Sequence, residues 1–318
     1  MRADLPRRLF SPTAMERLQR VASVDTNVVL TDFRGARLGH AEVILSGWGC
    51  PPVDEQVLDS APALRAIVHA AGSVKGHVSA ACWERGIRVS SAAAANAEPV
   101  AEYTLARILL ANKAAERMAR AYRERRSAVD LLAEFPTVGN RGKTVGIVGA
   151  SRIGRRVIEL LRPFELSVIV SDPYLEDDLG VERRELDELL AAADVVSLHA
   201  PALPSTRHLI DARRLALLRD GATLINTARG ALVDHDALVL ELASGRIDAV
   251  IDVTEPEVLP PDSPLYELPN VVLTPHIAGA LGTEVLRLGD AAVDEIERYA
   301  AGEPFAHPVT AADLGRVA

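Results

Sequence analysis

The stretch Lys143-Thr144-Val145-Gly146-Ile147-Val148-Gly149-Ala150-Ser151-Arg152-Ile153-Gly154 constrains the fold of this chain more than any other. Branched residues at Val145, Ile147 and Val148 run into a glycine, small residues make a turn, and an apolar helical pattern follows at Ile153, Val157, Leu160 and Leu161. Such a pattern reads as strand, tight turn and helix start. A helix that starts there offers unpaired backbone N–H groups and the positive end of its dipole, which together suit a phosphate. The spacing is G-x-S-x-x-G, from Gly149 through Ser151 to Gly154. Ser151 therefore stands where the dinucleotide fingerprint carries its second glycine, and serine is small enough for a pyrophosphate to approach. An ordinary βα turn looks the same, so the turn alone does not separate the two readings.

The surroundings supply the missing context. After 144–148, β-rich runs recur at Ser167–Ser171, Val195–His199, Thr223–Asn226, Ala249–Val253 and Val271–Leu273. Helical patterns at 153–161, 184–193, 211–218 and 234–244 separate the earlier ones. Six such runs predict a doubly wound parallel sheet, which binds ligands beyond the carboxyl ends of its strands. Residues 1–112 repeat the α/β theme with strands expected at Val28–Leu30, Val43–Leu45, Ile67–Val68 and Ile87–Val89. Two turns there, Ser46–Pro52 with Trp48 and Ala70–Val74 with Gly72 and Ser73, are candidate substrate loops, although plain connections would read alike. A long helical pattern covers Pro99 to about Arg126, its second half strongly basic, and a loop at Phe135–Gly142 leads into the second domain. The basic half reads as a solvated helix face or an inter-subunit contact. A last helix, about 284–301, and a tail have no strand to add to the second sheet and are expected to pack on the first domain.

Charge narrows the function classes. With 35 basic and 44 acidic residues the net charge is −9, which argues against sequence-independent affinity for nucleic acid or anionic lipid. The two cysteines, Cys50 and Cys82, form neither a metal-ligand spacing nor a disulfide framework and suggest a reducing compartment. No apolar stretch follows Met1–Arg8 that would serve as a signal peptide or membrane span, so a soluble cytoplasmic protein is expected.

Four side chains carry candidate chemistry. Asp172 closes the second strand of the second sheet about 20 residues past the glycine turn, where a carboxylate can take both hydroxyls of an adenosine ribose and would repel a 2′-phosphate, favouring NAD over NADP. A strand-end aspartate capping the turn before Pro173 is the plain alternative. Arg229 follows the fourth strand, Glu257 the fifth and His276 the sixth, so all three fall on the edge where a cofactor would bind. A guanidinium grips a carboxylate with two prongs, and an imidazole gives or takes a proton. A carboxylate beside an imidazole favours the charged form, which can protonate a carbonyl. A surface arginine, a loop glutamate and a turn histidine are each ordinary alone; their conjunction is less so.

The run Thr144–Gly149, the Asn226-Thr227-Ala228-Arg229-Gly230 turn, Asp252-Val253 with Thr274-Pro275-His276-Ile277, and Asn96–Glu102 resemble the D-isomer specific 2-hydroxyacid dehydrogenases across nearly the whole chain. The resemblance implies an α/β fold of two doubly wound parallel-sheet domains: a flavodoxin-like substrate domain (1–112 and 284–318) and an inserted Rossmann NAD domain (113–283). It implies that Arg229 binds the substrate carboxylate and carbonyl, that His276 is the general acid/base, and that Glu257 polarises it. Glu255, two residues earlier, is a competitor for that role, but five positions beyond Asp252 is the family's place for the acid. Arg152 and Ile153 would offer backbone N–H groups to the pyrophosphate, while Thr227, Ala228 and Asp252 would complete the NAD site. Hydride transfer between NAD(H) and a small 2-hydroxy or 2-oxo acid is then the expected activity, and a homodimer through the NAD domain, touching at 117–141, the expected assembly.

The sequence also departs from the family pattern. Ser151 replaces a glycine, Val258 stands where proline is usual, and the substrate loop reads Ala71-Gly72-Ser73-Val74-Lys75 where G-A-G-x-D is expected. Lys75 would add positive charge for a larger or doubly charged acid, or would simply face solvent. Trp48 would wall the substrate pocket or pack in the core. Two further readings stay open: an NADH-sensing binding scaffold like the C-terminal binding protein corepressors, and a dehydrogenase of a non-carboxylate anion such as phosphite. At 318 residues, an additional regulatory domain of the kind found in long phosphoglycerate dehydrogenases is not expected.

Overall fold

The computed structural model describes residues 1–315. The chain divides into two compact units, Met1–Ala97 joined by the chain from Ala280 onward, and Glu98–Gly279.

In the smaller unit, two short helices, α1 (Pro6–Leu9) and α2 (Pro12–Val21), precede β1 (Val43–Ser46), α3 (Glu55–Ser60), β2 (Ala66–His69), α4 (Ala80–Glu84) and β3 (Arg88–Ser91). The strands form a parallel sheet in the order β1-β2-β3, with Val43 opposite Ala66 and Ala66 opposite Arg88. Period-two alternation sends Ala66 and Val68 to one face, against Leu9, Leu18, Leu288 and Ile296, and Ile67 and Val89 to the other, against Leu58 and Cys82. Helices thus cover both faces, as a parallel sheet requires. Residues Val28–Leu30 are not a strand: no strand pairs with them among the described residues, the Leu30 carbonyl accepts from the Met1 amino group instead, and Val28 is 57% exposed. Their branched side chains satisfy strand propensity, but without a partner ladder that propensity is idle.

Helix α5 (Ala93–Asn112) carries the chain from one unit into the other. From Ala101 onward its apolar side packs on the larger sheet, with Ala101, Leu105 and Ile108 against Val145, Ile147 and Ile225. The expected helix over 99–126 is in fact two. It starts earlier, at Ala93, and stops at Asn112, whose carbonyl accepts from Gly139 N and whose side chain bonds Asn140. Ala114 turns left-handed at φ 48° before α6 (Ala115–Arg125) begins. Then come α7 (Leu131–Glu134), β4 (Lys143–Val148), α8 (Arg152–Leu161), β5 (Leu166–Ser171), β6 (Glu182–Arg183), α9 (Leu186–Ala192), β7 (Val195–Leu198), α10 (Ala212–Leu215), β8 (Thr223–Asn226), α11 (His235–Ala243), β9 (Asp248–Ile251) and β10 (Val271–Leu273). All seven strands are parallel, in the order β10-β9-β8-β7-β4-β5-β6. The order reverses at β4, so the glycine turn leaves the sheet at its switch point. The two-residue edge strand β6 escaped the sequence reading because both of its residues are charged and exposed.

Past Ala280, which packs with Ala70 and Ala92, the chain belongs to the smaller unit. There α12 (Val285–Ala300) lies against α1, α2 and β2. Its buried Glu295 accepts from Ala306 N at 2.9 Å and His307 N at 2.7 Å, which holds the tail where Pro308 pairs antiparallel with Ser90. The last three residues of the expected substrate-domain segment, 316–318, lie outside the described residues. No helix among the described residues is long and apolar enough to cross a membrane.

Candidate functional site

The glycine turn follows β4. Gly149 has φ +96°, and a Cβ there would stand 2.7 Å from Ala200 N; a Cβ on Gly154 would stand 2.1 Å from the Gly149 carbonyl oxygen. Only glycine meets either demand, so α8 starts hard against the strand end. Ser151 is the N-cap of α8, its Oγ accepting from Gly154 N at 3.4 Å. The substitution for glycine thus supplies one of the four partners a helix start lacks and leaves the N–H groups of Arg152 and Ile153 for a ligand. The turn rests on His199, which the sequence did not single out. His199 is buried, bonds Ser197 Oγ through Nε2 at 2.9 Å, and is pushed down to about 3 by burial, so it is a neutral wedge under the turn. Only its place at a strand end could have signalled it.

Asp172 caps the turn before Pro173, the plainer of its two readings, and reaches the glycine turn as well. Oδ2 accepts from Ala150 N at 2.7 Å and Oδ1 from Tyr174 N at 2.8 Å, so the carboxylate joins the glycine turn to its own strand end. It lines a cavity of about 430 Å³ together with Gly149, Tyr174, Arg183, Leu203 and Thr206.

Arg229 is presented by a turn that Asn226 organises: Oδ1 accepts from Ala228 N at 3.1 Å and Nδ2 donates to the Arg229 carbonyl at 2.9 Å. Gly230 brings this turn against the next one, since a Cβ there would lie 2.2 Å from the Thr254 carbonyl carbon. The Arg229 guanidinium is half-buried, donates to the Ala228 carbonyl at 2.6 Å, and forms no ion pair among the described residues. Burial pulls its pKa below the ordinary arginine value, while the nearby Glu257 charge opposes the shift. A desolvated cation without a paired anion is a site prepared for one.

His276 lies in the left-handed region at φ 56°, where a non-glycine residue is uncommon and over-determined by its surroundings. Asp252 supplies that determination. This carboxylate, 1% exposed, accepts from Thr274 Oγ1 at 2.6 Å, Ile277 N at 2.8 Å and Ala278 N at 2.9 Å, and its backbone carbonyl takes His276 N at 2.9 Å. Beside the cofactor contact that the resemblance implies for Asp252, these bonds give it the task of shaping the histidine loop. Glu257 Oε1 stands 2.5 Å from His276 Nδ1, and both side chains are about half exposed, at 61% and 48%. The choice between neighbouring acids is resolved by partners: Glu255 pairs with Arg207 at 2.8 Å and faces away to it, whereas Glu257 takes the imidazole. Thr254 Oγ1, also missed, pins that loop by donating toward the Pro256 and Glu257 carbonyls.

Arg229, Asp252, Glu257 and His276 therefore meet at the carboxyl edge of one sheet. Trp48, Gly72, Ser73 and Val74 belong to the smaller unit, in the loops leaving β1 and β2. There Trp48 is 37% exposed, Ser73 and Lys75 are exposed, and Val74, one of the expected substrate contacts, packs its side chain into the core at 3% exposure. Below these loops Ser46, His69 and His77 form a buried cluster that the sequence reading missed, with Ser46 Oγ 2.9 Å from His69 Nδ1 and the two imidazoles 4.3 Å apart.

Comparison with known proteins identifies the family of the chain. Residues 105–278 match the family model for the D-isomer specific 2-hydroxyacid dehydrogenase NAD-binding domain. The chain is 36% identical over 261 residues to the D-3-phosphoglycerate dehydrogenase of Mycobacterium tuberculosis, covering 79% of this chain and 48% of that protein, so it spans about half the length of that relative. It is 36% identical over 266 residues to the glyoxylate reductase of Aeropyrum pernix, covering 79% and 78% of the two chains. Among solved structures, a protein from Thermus thermophilus superposes with a TM-score of 0.78 at 34% identity over 95% of this chain and 98% of that one. The D-lactate dehydrogenase of Aquifex aeolicus, complexed with NAD and lactic acid, superposes with a TM-score of 0.71 at 29% identity over 92% of each chain. On the match over 105–278 together with these relatives, the chain belongs to the D-isomer specific 2-hydroxyacid dehydrogenase family.

Proposed function

We propose that this protein is an NAD-dependent dehydrogenase that interconverts a small 2-oxo acid and its D-2-hydroxy acid. The observation that carries the reading is the His276 Nδ1–Glu257 contact at 2.5 Å, which leaves Nε2 of a half-exposed ring for substrate, at the same sheet edge as a half-buried Arg229 without an ion pair among the described residues. The glycine turn fits a dinucleotide: Gly149 and Gly154 leave no Cβ in the way, and Arg152 and Ile153 keep free N–H groups for a pyrophosphate. In this reading Asp172 takes the ribose hydroxyls, and Thr227, Ala228 and Asp252 complete the cofactor side of the arginine turn. Bound NADH supplies the hydride. Arg229 grips the substrate carboxylate and carbonyl oxygen, fixing the carbonyl carbon and stabilising charge that develops on the oxygen. His276 delivers its Nε2 proton to that oxygen, and Glu257 holds the Nδ1 proton and with it the ring orientation. Within the smaller unit, the loops with Trp48 and with Gly72, Ser73 and Val74 are the proposed substrate contacts, and the exposed Lys75 would select the size or charge of the acid.

The test is NADH oxidation against a panel of 2-oxo acids, including glyoxylate, pyruvate and phosphorylated members, on which relatives named for phosphoglycerate, glyoxylate and lactate would divide. Turnover with at least one is expected; none, in protein that binds NADH, sinks the reading in favour of a binding scaffold. The assembly belongs to the same proposal. Tyr122, Leu131 and Leu132, exposed at 65%, 51% and 88% on the 117–141 segment, support a homodimer through that surface. Light scattering should then show a dimer that Leu132→Glu weakens. The free thiols of Cys50 and Cys82 support a cytoplasmic location, to be checked by cell fractionation.

A further inference from the structure

Two adjacent residues of helix α5, Tyr103 and Thr104, each hydrogen-bond a different site loop. Thr104, fully buried, meets Thr227 Oγ1 at 3.0 Å, in the turn that presents Arg229. Tyr103 meets Thr274 Oγ1 at 3.2 Å, in the loop that presents His276. One turn earlier on the same helix, Glu98 takes Arg156 of α8 in a two-pronged pair, at 2.7 Å and 2.9 Å, so the helix that starts at the glycine turn is tied to it as well. A single rigid rod thus touches all three elements that carry the site in the larger unit.

The direction of the hydrogen bonds follows from counting protons. Thr274 has one hydroxyl proton, and it goes to the Asp252 carboxylate at 2.6 Å, which can only accept. Thr274 Oγ1 must therefore accept from Tyr103. The Tyr103 oxygen in turn accepts from Arg107 Nε at 3.2 Å, and Arg107 Nη1 donates to Glu116 at 3.0 Å. From Arg107 to Tyr103 to Thr274 to Asp252 every donor points the same way, toward the carboxylate that holds the loop of His276. Bonds in such a chain polarise and strengthen one another. Arg107 also stands over the Tyr103 ring, 5.2 Å from its centre, which fixes the phenol from the face.

We propose that Tyr103 and Thr104 are positioning residues that set the spacing of Arg229 and His276 by bracing their loops on one helix. His276 is held in a left-handed conformation that costs free energy unless the loop around it is over-determined. The Tyr103 hydroxyl supplies part of that constraint from outside the loop, through Thr274 and Asp252. The inference rests on the reading of His276 as acid/base, and its test separates the two.

Tyr103→Phe keeps the ring and removes only the hydroxyl; Thr274→Val breaks the next link, and Thr274→Ser restores it. The first readout does not depend on turnover: the downfield proton resonance of the His276 Nδ1–H···Glu257 bond, assigned by its loss in His276→Gln. It should broaden or shift in Tyr103→Phe and Thr274→Val and return in Thr274→Ser. The second is steady-state kinetics with the best 2-oxo acid. In both broken variants kcat should fall about tenfold, the scale of one hydrogen bond, with the KM for NADH within about twofold of the parent and no loss of folded protein. The Tyr103→Phe/Thr274→Val double variant should fall no further than either single, because the chain acts as one unit. For Thr104→Val, the KM for the 2-oxo acid should rise more than kcat falls, since Arg229 is the group displaced. An unchanged Nδ1–H resonance in Tyr103→Phe, or additive losses in the double variant, overturns the proposal. A changed resonance with undiminished kcat upholds the bracing and removes His276 from the acid/base role instead.

Discussion

At the carboxyl edge of the larger sheet carboxylates are held by backbone amides, a hydroxyl and an imidazole, whereas at the carboxyl edge of the smaller sheet a buried cluster is made of neutral groups that hold one another. Asp172 takes two backbone N–H groups, Asp252 takes two together with a threonine hydroxyl, and Glu257 takes an imidazole. Ser46, His69 and His77 have no ion among them, and burial pushes the two imidazoles down to about 3 and about 4. The difference shows where charge is put to use. An ion survives near a protein interior only where dipoles or counter-ions replace its water, and each of these carboxylates has such partners. The neutral cluster joins two loops without asking for a ligand.

The comparison breaks most visibly at the ionic edge. His276→Gln should lower kcat by about 10²–10⁴-fold, the usual contribution of general acid catalysis, while NADH titration still shows binding. A loss below tenfold would remove the histidine from the reaction. Gly154→Ala should come next: its Cβ would meet the Gly149 carbonyl, so we expect about 2–3 kcal/mol of lost stability and weakened NADH affinity, read by urea unfolding and fluorescence.

Acid titration addresses the two imidazoles of the neutral cluster together with His199, the buried histidine under the glycine turn of the larger sheet. His69, His77 and His199 have folded pKa values of about 3, about 4 and about 3, below the ordinary value of 6.5. The unfolded chain therefore binds more protons below pH 6.5, and the folded state loses stability as pH falls through that value toward 4. The expected loss is roughly 1–2 kcal/mol per histidine by about pH 5, and replacing His69 by Gln should flatten the urea midpoint against pH. A midpoint that does not move between pH 7.5 and pH 5 would mean the cluster already holds a proton. The smallest effect is expected at Glu255. It pairs with Arg207 at an exposed site, and Glu255→Gln should leave kcat within about twofold and stability within about 1 kcal/mol, in contrast to Glu257→Gln. Equal losses in the two variants would reverse their assignment.

Much of the ionic edge was legible in the sequence because each of its members lies at a fixed offset from a strand with a clear apolar pattern. Gly149, Asp172, Arg229, Glu257 and His276 all follow such runs, and a parallel sheet puts every strand end on one side. The neutral cluster was not legible. Ser46, His69 and His77 are spread over more than 30 positions, and a serine or histidine at a strand end looks the same buried as exposed. The same limit hid Tyr103 and Thr104, which sit in an apolar helix with nothing around them in sequence to suggest partners at Thr274 and Thr227. Val28–Leu30 failed in the opposite direction: its residues suit a strand, and no strand among the described residues pairs with it.

The sequence by itself determined the alternation of strands and helices, the glycine turn after the first strand of the larger sheet, and which charged residues stand at the strand ends, because periodicity and turn chemistry are local, whereas the strand order and its reversal came with the fold. Only the tertiary structure decided that Glu257 and not Glu255 takes the imidazole, that Ser151 caps a helix, that Val74 points into the core, and that Asp252 shapes the loop of His276. Those outcomes depend on which hydrogen-bond partner reaches a group first in three dimensions, and the partners come from segments between 3 and 48 residues away, set by packing and not by spacing.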